Sequence, residues 1–252
     1  FTSQLYLFTE GVKQVNFFYE SDSEKIFTVT TLDFDNKPKP LAMRAMASTS
    51  SADAEFITNF MNAAGLNIIT RDKYGAPEGN RFEPDWTPGY EAVDRIVIHH
   101  TGTDVDMANP ANTVNAIWRY HDYNNGWGDI GYNYLIDPYG NIYEGRAGTN
   151  GVTGAHAPPN EGSIGIALLG DYSVQAPTQA SIDSLTKLVS YLSIVDNIPL
   201  TYKTSFDTKS PSGIYPHRAI TSTSCPGNAL ANLLSGVVGS ANNIKSTFQT
   251  AI

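Results

Sequence analysis

The chain has 252 residues, of which 41% are hydrophobic and 16% are charged, and its formal net charge is −9. This composition is typical of a globular protein with one large domain, or one domain and a smaller companion, and it excludes a disordered chain. The acidic balance offers no basic surface for nucleic acid. A single cysteine excludes an internal disulfide framework, and no apolar run reaches the ~20 residues of a membrane helix.

Residues 1–66 are predicted to form a small β-rich module. Residues 14–19 and 25–32 are rich in β-branched and aromatic side chains and are predicted to be strands, with the polar turn 20–24 between them. Four apolar residues then recur at helical spacing and predict a helix that leads out of the module: Ala54, Ile57, Phe60 and Met61. No group of residues typical of catalysis occurs in this part.

Residues 67–252 alternate between strand-type and helix-type patterns. They are predicted to form an α/β (α+β) domain, a central mixed β-sheet flanked by helices. Buried strands are predicted at 95–101 and 163–169, and a hairpin around residues 137–140. Three helical faces are predicted from apolar spacing: Ala111, Val114, Ile117, Trp118 and His121; Ile182, Leu185, Leu188, Val189 and Leu192; Leu230, Leu233 and Val237.

The only cysteine, Cys225, follows His217 by eight positions and precedes Pro226 and Gly227. Thiolate and imidazole are good ligands for zinc, and a short loop can bring them together. The alternative is that Cys225 is a small buried hydrophobic residue, although the Pro–Gly pair indicates a turn rather than a core segment. This stretch alone leaves the two interpretations evenly balanced.

A third ligand is available where the strand at 95–101 ends in His99 and His100. Catalytic zinc typically takes three protein ligands and leaves one position for water. Adjacent strand residues point to opposite faces, so only one of the two histidines is expected to join His217 and Cys225. Spacing alone does not choose between them, and the other is expected to be a structural histidine.

Several short motifs occur in a fixed order. They lie at 96–101 (IVIHHT), 127–136 (WGDIGYNYLI), 143–146 (YEGR), 154–156 (GAH), 163–166 (SIGI) and 225–227 (CPG), together with His217. In this order they resemble the peptidoglycan recognition proteins and the related type 2 N-acetylmuramoyl-L-alanine amidases. Residues 69–76 are similar to the entry segment of that family, with Tyr74 where a tryptophan is usual. The first 66 residues lie outside the resemblance.

The resemblance implies a zinc hydrolase with one Zn²⁺ ion, held by His99, His217 and Cys225 with water in the fourth position. Under this interpretation His100 is a packing residue or a neighbour of the ligands. The reaction implied is hydrolysis of the amide between N-acetylmuramic acid and L-alanine of bacterial peptidoglycan, which degrades or remodels the cell wall.

The resemblance also assigns catalytic and binding roles. Tyr132 matches the tyrosine that works beside the zinc-bound water, and Thr223 matches a position that faces the same water. No glutamate within the ligand motifs offers an obvious general base, so these two residues are left to orient the water and hold the developing oxyanion, a donor role worth about 3 kcal/mol. Groove-lining positions for glycan and stem peptide are matched by four residues: His156, His121, Arg146 and Trp127. For Trp127, groove wall and hydrophobic core remain equal alternatives.

Two departures from the family pattern affect the binding groove. Residues 157–160 (APPN) are one residue shorter than usual and lack a tyrosine, and Ala147-Gly148 replaces the residue pairs by which animal members distinguish stem peptides. The preference for diaminopimelate or lysine at the third stem position therefore stays open.

Other interpretations were a non-catalytic peptidoglycan-binding module and a cytosolic recycling enzyme. Cys225 and Tyr132 favour the enzyme over the binding module, because non-enzymatic relatives commonly lack the cysteine. The added segment 1–66 makes a recycling enzyme less attractive, since recycling enzymes of this type are compact. The expected protein is a monomer, extracellular or associated with the cell wall, whose partner is peptidoglycan, with no membrane insertion. The segment 1–66 is expected to be a structural extension, with a wall-targeting module and a lid as alternatives.

Overall fold

The computed structural model describes residues 15–17, 27–29, 59–62, 64–83, 86–148 and 151–249. Contacts divide the chain into two compact units, Phe1–Lys39 and Pro40–Ile252. In the first unit, β1 (Val15–Phe17) pairs antiparallel with β2 (Phe27–Val29), which confirms the two predicted strands. Within the described ranges, no helix is long and apolar enough to cross a bilayer.

The second unit contains a mixed sheet of six strands in the order β3-β6-β5-β7-β4-β8. The strands are β3 (Ile68–Ile69), β4 (Arg95–His100), β5 (Tyr134–Ile136), β6 (Ile142–Glu144), β7 (Ser163–Leu168) and β8 (Gly213–Pro216). Strand β4 lies between β7 and the edge strand β8 and is parallel to both, whereas β5 and β6 form the predicted antiparallel hairpin. The mixed sheet predicted from the sequence is confirmed.

Helices flank this sheet. They are α1 (Arg71–Tyr74), α2 (Pro110–Arg119), which continues as a π-helical turn (Tyr120–Asn124), α3 (Gln179–Val195), α4 (Asn228–Ala231) and α5 (Leu234–Gln249), with 3₁₀ turns at Glu78–Asn80 and His217–Ala219. Helix α3 begins after Thr178, whose hydroxyl accepts a hydrogen bond from the backbone N–H of Ser181 at 3.1 Å. The last predicted helix is wrong in one respect: it is divided into α4 and α5, and Leu233 between them is 39% exposed.

The alternation of side chains along β4 directs its residues to two faces. Ile96 and Ile98 are fully buried in the larger apolar cluster, which also includes the inner faces of α3 and α5. A second cluster forms around Trp118 of α2. Because successive strand residues point to opposite sides, the side chain of His99 lies on the sheet face opposite to that of Ile98. It therefore projects from a strand that is held rigidly on both sides.

Residues 59–62 and 64–66 belong to the second unit and pack into its core. Phe60 and Leu66 are buried in its larger apolar cluster, and Met61 packs against the same cluster. Residues 59–62 are helical, as predicted for Phe60 and Met61, while Ala54 and Ile57 lie outside the described residues. The domain boundary after residue 66 stays a prediction.

Candidate metal centre

Three predicted ligands converge at the carboxyl ends of two neighbouring strands. His99 is the penultimate residue of β4, and His217 comes directly after β8, which runs parallel to β4. Cys225 lies eight residues further on, in the loop that precedes α4. One ligand atom from each of the three side chains lies within 4.8 Å of the other two. The strand pairing therefore brings together residues that are far apart in the sequence.

The distances within this cluster suit a single tetrahedral ion. Sγ of Cys225 lies 3.7 Å from Nδ1 of His99, and the rings of His99 and His217 have centroids 4.3 Å apart. A zinc ion with ordinary Zn–S and Zn–N bonds at a tetrahedral angle would separate a sulfur and a nitrogen ligand by about 3.6 Å. The cluster thus has the donor types and the spacing that zinc requires.

The second ring nitrogen of each histidine already has a partner. Nε2 of His99 lies 3.0 Å from Nδ1 of His156, and Nε2 of His217 lies 2.9 Å from Oγ1 of Thr221. Metal-binding histidines typically use one ring nitrogen for the metal and the other for a hydrogen bond that fixes the tautomer. This leaves Nδ1 of both rings for a metal ion.

Burial sets the protonation of the cluster. It lowers the pKa of His99 well below the usual value, with His156 and His217 adding to the effect. It also lowers the pKa of His217 to about 4, so both imidazoles are neutral at pH 7 and have a free lone pair. Burial raises the pKa of the Cys225 thiol to about 11, opposed by the backbone N–H of His100. A cation that binds the sulfur at neutral pH must displace this proton.

His100 points away from the cluster. Its ring Nδ1 accepts a hydrogen bond from the backbone N–H of Tyr172 at 3.1 Å. His100 contacts the cluster through its backbone, whose N–H donates to Sγ of Cys225 at 3.4 Å. Of the two adjacent histidines, the structure brings His99 to the cluster.

The loop that carries Cys225 is held by Arg218. The backbone N–H of Arg218 donates to the carbonyl of Cys225 at 2.9 Å, and its guanidinium donates to the carbonyl of Ser224 at 2.6 Å and to Oδ1 of Asn228 at 2.7 Å. Gly227 follows with φ 86°, and a Cβ there would lie 2.3 Å from the backbone of Tyr172. The Cys-Pro-Gly sequence thus serves a tight turn that presents the sulfur.

Tyr132 lies beside the cluster, with its ring centroid 5.2 Å from that of His99. Burial and the neighbouring Cys225 raise the pKa of Tyr132, so the phenol keeps its proton and remains a hydrogen-bond donor. Within the described part of the chain its hydroxyl has no hydrogen-bond partner. Its ring lines a groove of about 550 Å³ together with Thr101, Asp104, Ile117 and His121.

Of the other predicted residues, His121 lines this groove and Trp127 packs against His121. Nδ1 of His121 accepts a hydrogen bond from the backbone N–H of Gly131 at 3.0 Å, which places the ring proton on Nε2. Trp127 packs on His121 with ring centroids 4.7 Å apart and is 38% exposed. Its exposure excludes a position in the hydrophobic core, and its role as a groove wall stays a prediction.

Arg146, which the family resemblance assigns to the groove lining, is held by backbone groups of this chain. Its side chain is buried, and the guanidinium donates to the backbone carbonyls of Trp127 at 3.0 Å and Ile130 at 3.2 Å. Trp86 covers it, with the ring centroid 4.8 Å from the guanidinium carbon. These contacts fix the segment that leads to β5 and engage both terminal nitrogens of the guanidinium, whereas Nε has no hydrogen-bond partner among the described residues.

His156 and Thr223 also have partners that their motifs did not reveal. His156 is buried behind His99, in contact with its Nε2. Thr223 is exposed, and its hydroxyl oxygen accepts the backbone N–H of Cys225 at 3.2 Å. Thr221, which contacts His217, was missed because a loop hydroxyl four residues after a histidine has no distinctive sequence signal.

Comparison with known proteins places this fold and site in a family. The profile of the family described as N-acetylmuramoyl-L-alanine amidase (Amidase_2) matches residues 89–228. Peptidoglycan-recognition protein SC2 of Drosophila melanogaster is 36% identical over 171 residues, which is 67% of this chain and 84% of that protein. The human N-acetylmuramoyl-L-alanine amidase is 31% identical over 144 residues, which is 55% of this chain and 23% of the human protein.

A solved structure gives the same result. The endolysin N-acetylmuramoyl-L-alanine amidase LysCS of Clostridium intestinale superposes with a TM-score of 0.53 and 27% identity, covering 70% of this chain and 96% of the endolysin. The chain belongs to the N-acetylmuramoyl-L-alanine amidase family, which confirms the resemblance noted in the sequence. The family includes proteins named for recognition of peptidoglycan as well as amidases.

Proposed function

We propose that this protein is a zinc-dependent N-acetylmuramoyl-L-alanine amidase that hydrolyses the amide between N-acetylmuramic acid and L-alanine in peptidoglycan. The observation that carries the proposal is the cluster of His99, His217 and Cys225, whose ligand atoms lie within 4.8 Å of one another next to Tyr132. The human and clostridial relatives, both named as amidases, support it. We place the reaction outside the cell or at the cell wall, and the amidase domain within residues 67–252.

The three ligand residues would hold the ion through two neutral imidazoles and one thiolate. When bound, zinc supplies a Lewis acid and lowers the pKa of its water to ~7. Cys225 must lose its proton on binding, and the N–H of His100 at 3.4 Å is placed to stabilise the thiolate. Thr221 holds the ring of His217 from the other side.

Tyr132 is proposed to donate its hydroxyl proton in a hydrogen bond to the oxygen of the scissile amide. Its raised pKa keeps that proton in place at neutral pH, and a preorganised donor stabilises the oxygen as negative charge develops on it. Thr223 is proposed to face the attacking water. The oxygen of its hydroxyl accepts the N–H of Cys225, so its proton is available to another acceptor.

The groove beside Tyr132 is proposed to take the glycan strand and stem peptide. His121 offers a neutral Nε2–H donor because Gly131 fixes its tautomer, and the exposed ring of Trp127 provides an apolar wall. Peptidoglycan is therefore the proposed partner, bound by a monomer.

Digestion of purified peptidoglycan tests the proposal. The zinc-loaded protein is expected to release new N-terminal alanine, and Cys225→Ser is expected to release none because it lacks one ligand. A metal chelator should stop the reaction, and added zinc should restore it. Unchanged release by Cys225→Ser would contradict the proposal.

The alternative function is recognition of peptidoglycan without cleavage, which is supported by the similarity to a protein named for recognition. The same assay separates the two. A recognition module would bind wall fragments but release no alanine at any zinc concentration. The amidase would release alanine in proportion to bound zinc.

A further inference from the structure

His156 is buried directly behind His99, on the side away from Cys225. Nε2 of His99 lies 3.0 Å from Nδ1 of His156, and the two rings meet edge to face with centroids 4.9 Å apart. Nδ1 of His99 faces the sulfur. One ring nitrogen of His99 thus faces the proposed ligand cluster, and the other faces a second histidine.

A continuous set of hydrogen bonds defines the direction of each proton. The Ser163 hydroxyl lies 2.6 Å from the carbonyl of Asn160, to which it donates, and 3.3 Å from Nε2 of His156. Because the serine proton is used in this bond, the serine oxygen can only accept from His156. The ring proton of His156 therefore lies on Nε2, and Nδ1 is an acceptor. That acceptor requires the proton of His99 to be on its Nε2, and this frees Nδ1 of His99.

The surrounding backbone is built around the His156 ring. A Cβ at Gly154 would lie 2.4 Å from Cδ2 of His156, and a Cβ at Gly165 would lie 2.5 Å from the same atom. The side chain of Asn160 accepts the backbone N–H groups of His156 and Ala157 at 2.8 and 2.9 Å. The two glycines therefore leave the space that the ring fills, and Asn160 fixes the backbone of His156.

We infer that His156 is a positioning residue, which accepts the Nε2–H of His99 and so fixes the tautomer and ring plane in which His99 presents Nδ1 to the metal. The inference rests on the proposed metal centre. It replaces the groove-lining role that the GAH motif implied, because a ring buried behind a ligand does not contact substrate. Partners of this kind raise metal affinity by orienting the ligand.

Zinc affinity of the full-length protein, measured by competition with a chromophoric chelator, tests the inference. His156→Leu keeps much of the ring volume but has no acceptor, and it is expected to weaken zinc binding about 10- to 100-fold. His156→Asn places an amide oxygen where Nδ1 lies and is expected to restore most of the affinity. The visible absorption of the cobalt-substituted protein should change in His156→Leu and return in His156→Asn.

The matched control is His121→Leu, a buried neighbouring histidine whose ring nitrogen pairs with a backbone N–H. It should bind zinc as the wild type does. If His156→Leu does not fold, as judged by circular dichroism of the apoprotein, Ser163→Ala replaces it. This variant should weaken zinc binding by less than the loss expected of His156→Leu, because the His156 ring keeps its position.

Three results would overturn the inference: full affinity in His156→Leu or in the Ser163→Ala replacement, equal losses in His156→Leu and His156→Asn, or an equal loss in His121→Leu. Failure of the wild type to bind zinc would remove the proposed function, and this inference with it. Normal zinc binding with unaffected variants would remove the inference alone.

Discussion

Two buried polar clusters in this protein differ in how their groups are paired. In the metal cluster, two neutral imidazoles and a thiol converge within 4.8 Å, and none of the three carries a charge that another neutralises. In the arginine cluster, the fully buried Asp129 pairs with Arg71 at 3.2 Å and Arg81 at 3.0 Å. Both oxygens of Asp129 also accept backbone N–H groups.

This difference separates a ligand site from a structural one. Buried charges that are fully paired with one another and with backbone groups stabilise an arrangement of the chain. Neutral imidazoles and a thiol that converge without any charged partner can instead take up a cation, which displaces the thiol proton. Arg146 illustrates the distinction, since its contacts with backbone carbonyls place it with the structural cluster despite its position in a family motif.

The largest effect is expected from removing a ligand in the metal cluster. His99→Ala should weaken zinc binding by more than about 100-fold, because loss of a ligand exceeds the 10- to 100-fold losses typical of its hydrogen-bond partners. His100→Ala is the control, since its ring contacts Tyr172 and not the cluster. Titration calorimetry with zinc measures both. A loss in His100→Ala as large as that in His99→Ala, or larger, would contradict the assignment of His99 as the ligand.

Removal of the Tyr132 hydroxyl should separate chemistry from metal binding. Tyr132→Phe is expected to lower kcat about 10²- to 10³-fold, as for loss of one oxyanion donor, and to leave zinc affinity unchanged. Tyr202→Phe, which removes a hydroxyl that contacts the carbonyl of Ala231, should leave kcat unchanged. A normal kcat in Tyr132→Phe would refute the proposed role.

The arginine cluster should respond in the opposite way. Asp129→Asn leaves Arg71 and Arg81 with one negative partner fewer and is expected to lower the free energy of unfolding by about 3 kcal/mol. Zinc affinity should not change in the folded protein. Asp183→Asn, at an exposed position of α3, should change stability by less than about 0.5 kcal/mol. Denaturant titrations measure the stability of both variants. An Asp129→Asn protein with wild-type stability but weakened zinc binding would contradict the distinction between the two clusters.

A smaller effect is expected in acid. Burial lowers the pKa of His121 to about 4, so below pH ~6.5 the unfolded chain binds a proton that the folded protein excludes. Stability should therefore fall as the pH decreases from about 6.5 to 4, by on the order of 2 kcal/mol from this residue. His121→Gln should reduce that pH dependence. Parallel denaturant titrations at several pH values measure this dependence. If the free energy of unfolding varied with pH equally in the wild type and in His121→Gln, the lowered pKa of His121 would be contradicted.

Much of the fold was predictable because its strands are strongly patterned. The apolar run 95–101 and the turn of the β5–β6 hairpin carry their own local signals, and the strand end at His99 followed from the first of these. The division of the last helix was missed because apolar spacing continues across Leu233. The choice of His99 over His100 required the pairing of β4 with β8, which spacing does not encode.

The candidate site was predictable where residue type determines the role. A lone cysteine and two histidines suggested zinc, but motif membership alone does not tell whether a side chain faces substrate or backbone. Arg146 and His156 were both expected in the groove, and both are buried with partners from the chain. Their partners are backbone carbonyls in one case and another histidine in the other, and neither can be inferred from local sequence.

The zinc K-edge X-ray absorption spectrum of the zinc-loaded protein tests the proposed metal centre most directly. The geometry predicts one sulfur ligand at about 2.3 Å and nitrogen or oxygen ligands at about 2.0–2.1 Å, with four-coordinate zinc. Cys225→Ser should lose the sulfur contribution. A wild-type spectrum without sulfur, or with more than one sulfur per zinc, would contradict a centre formed by His99, His217 and Cys225.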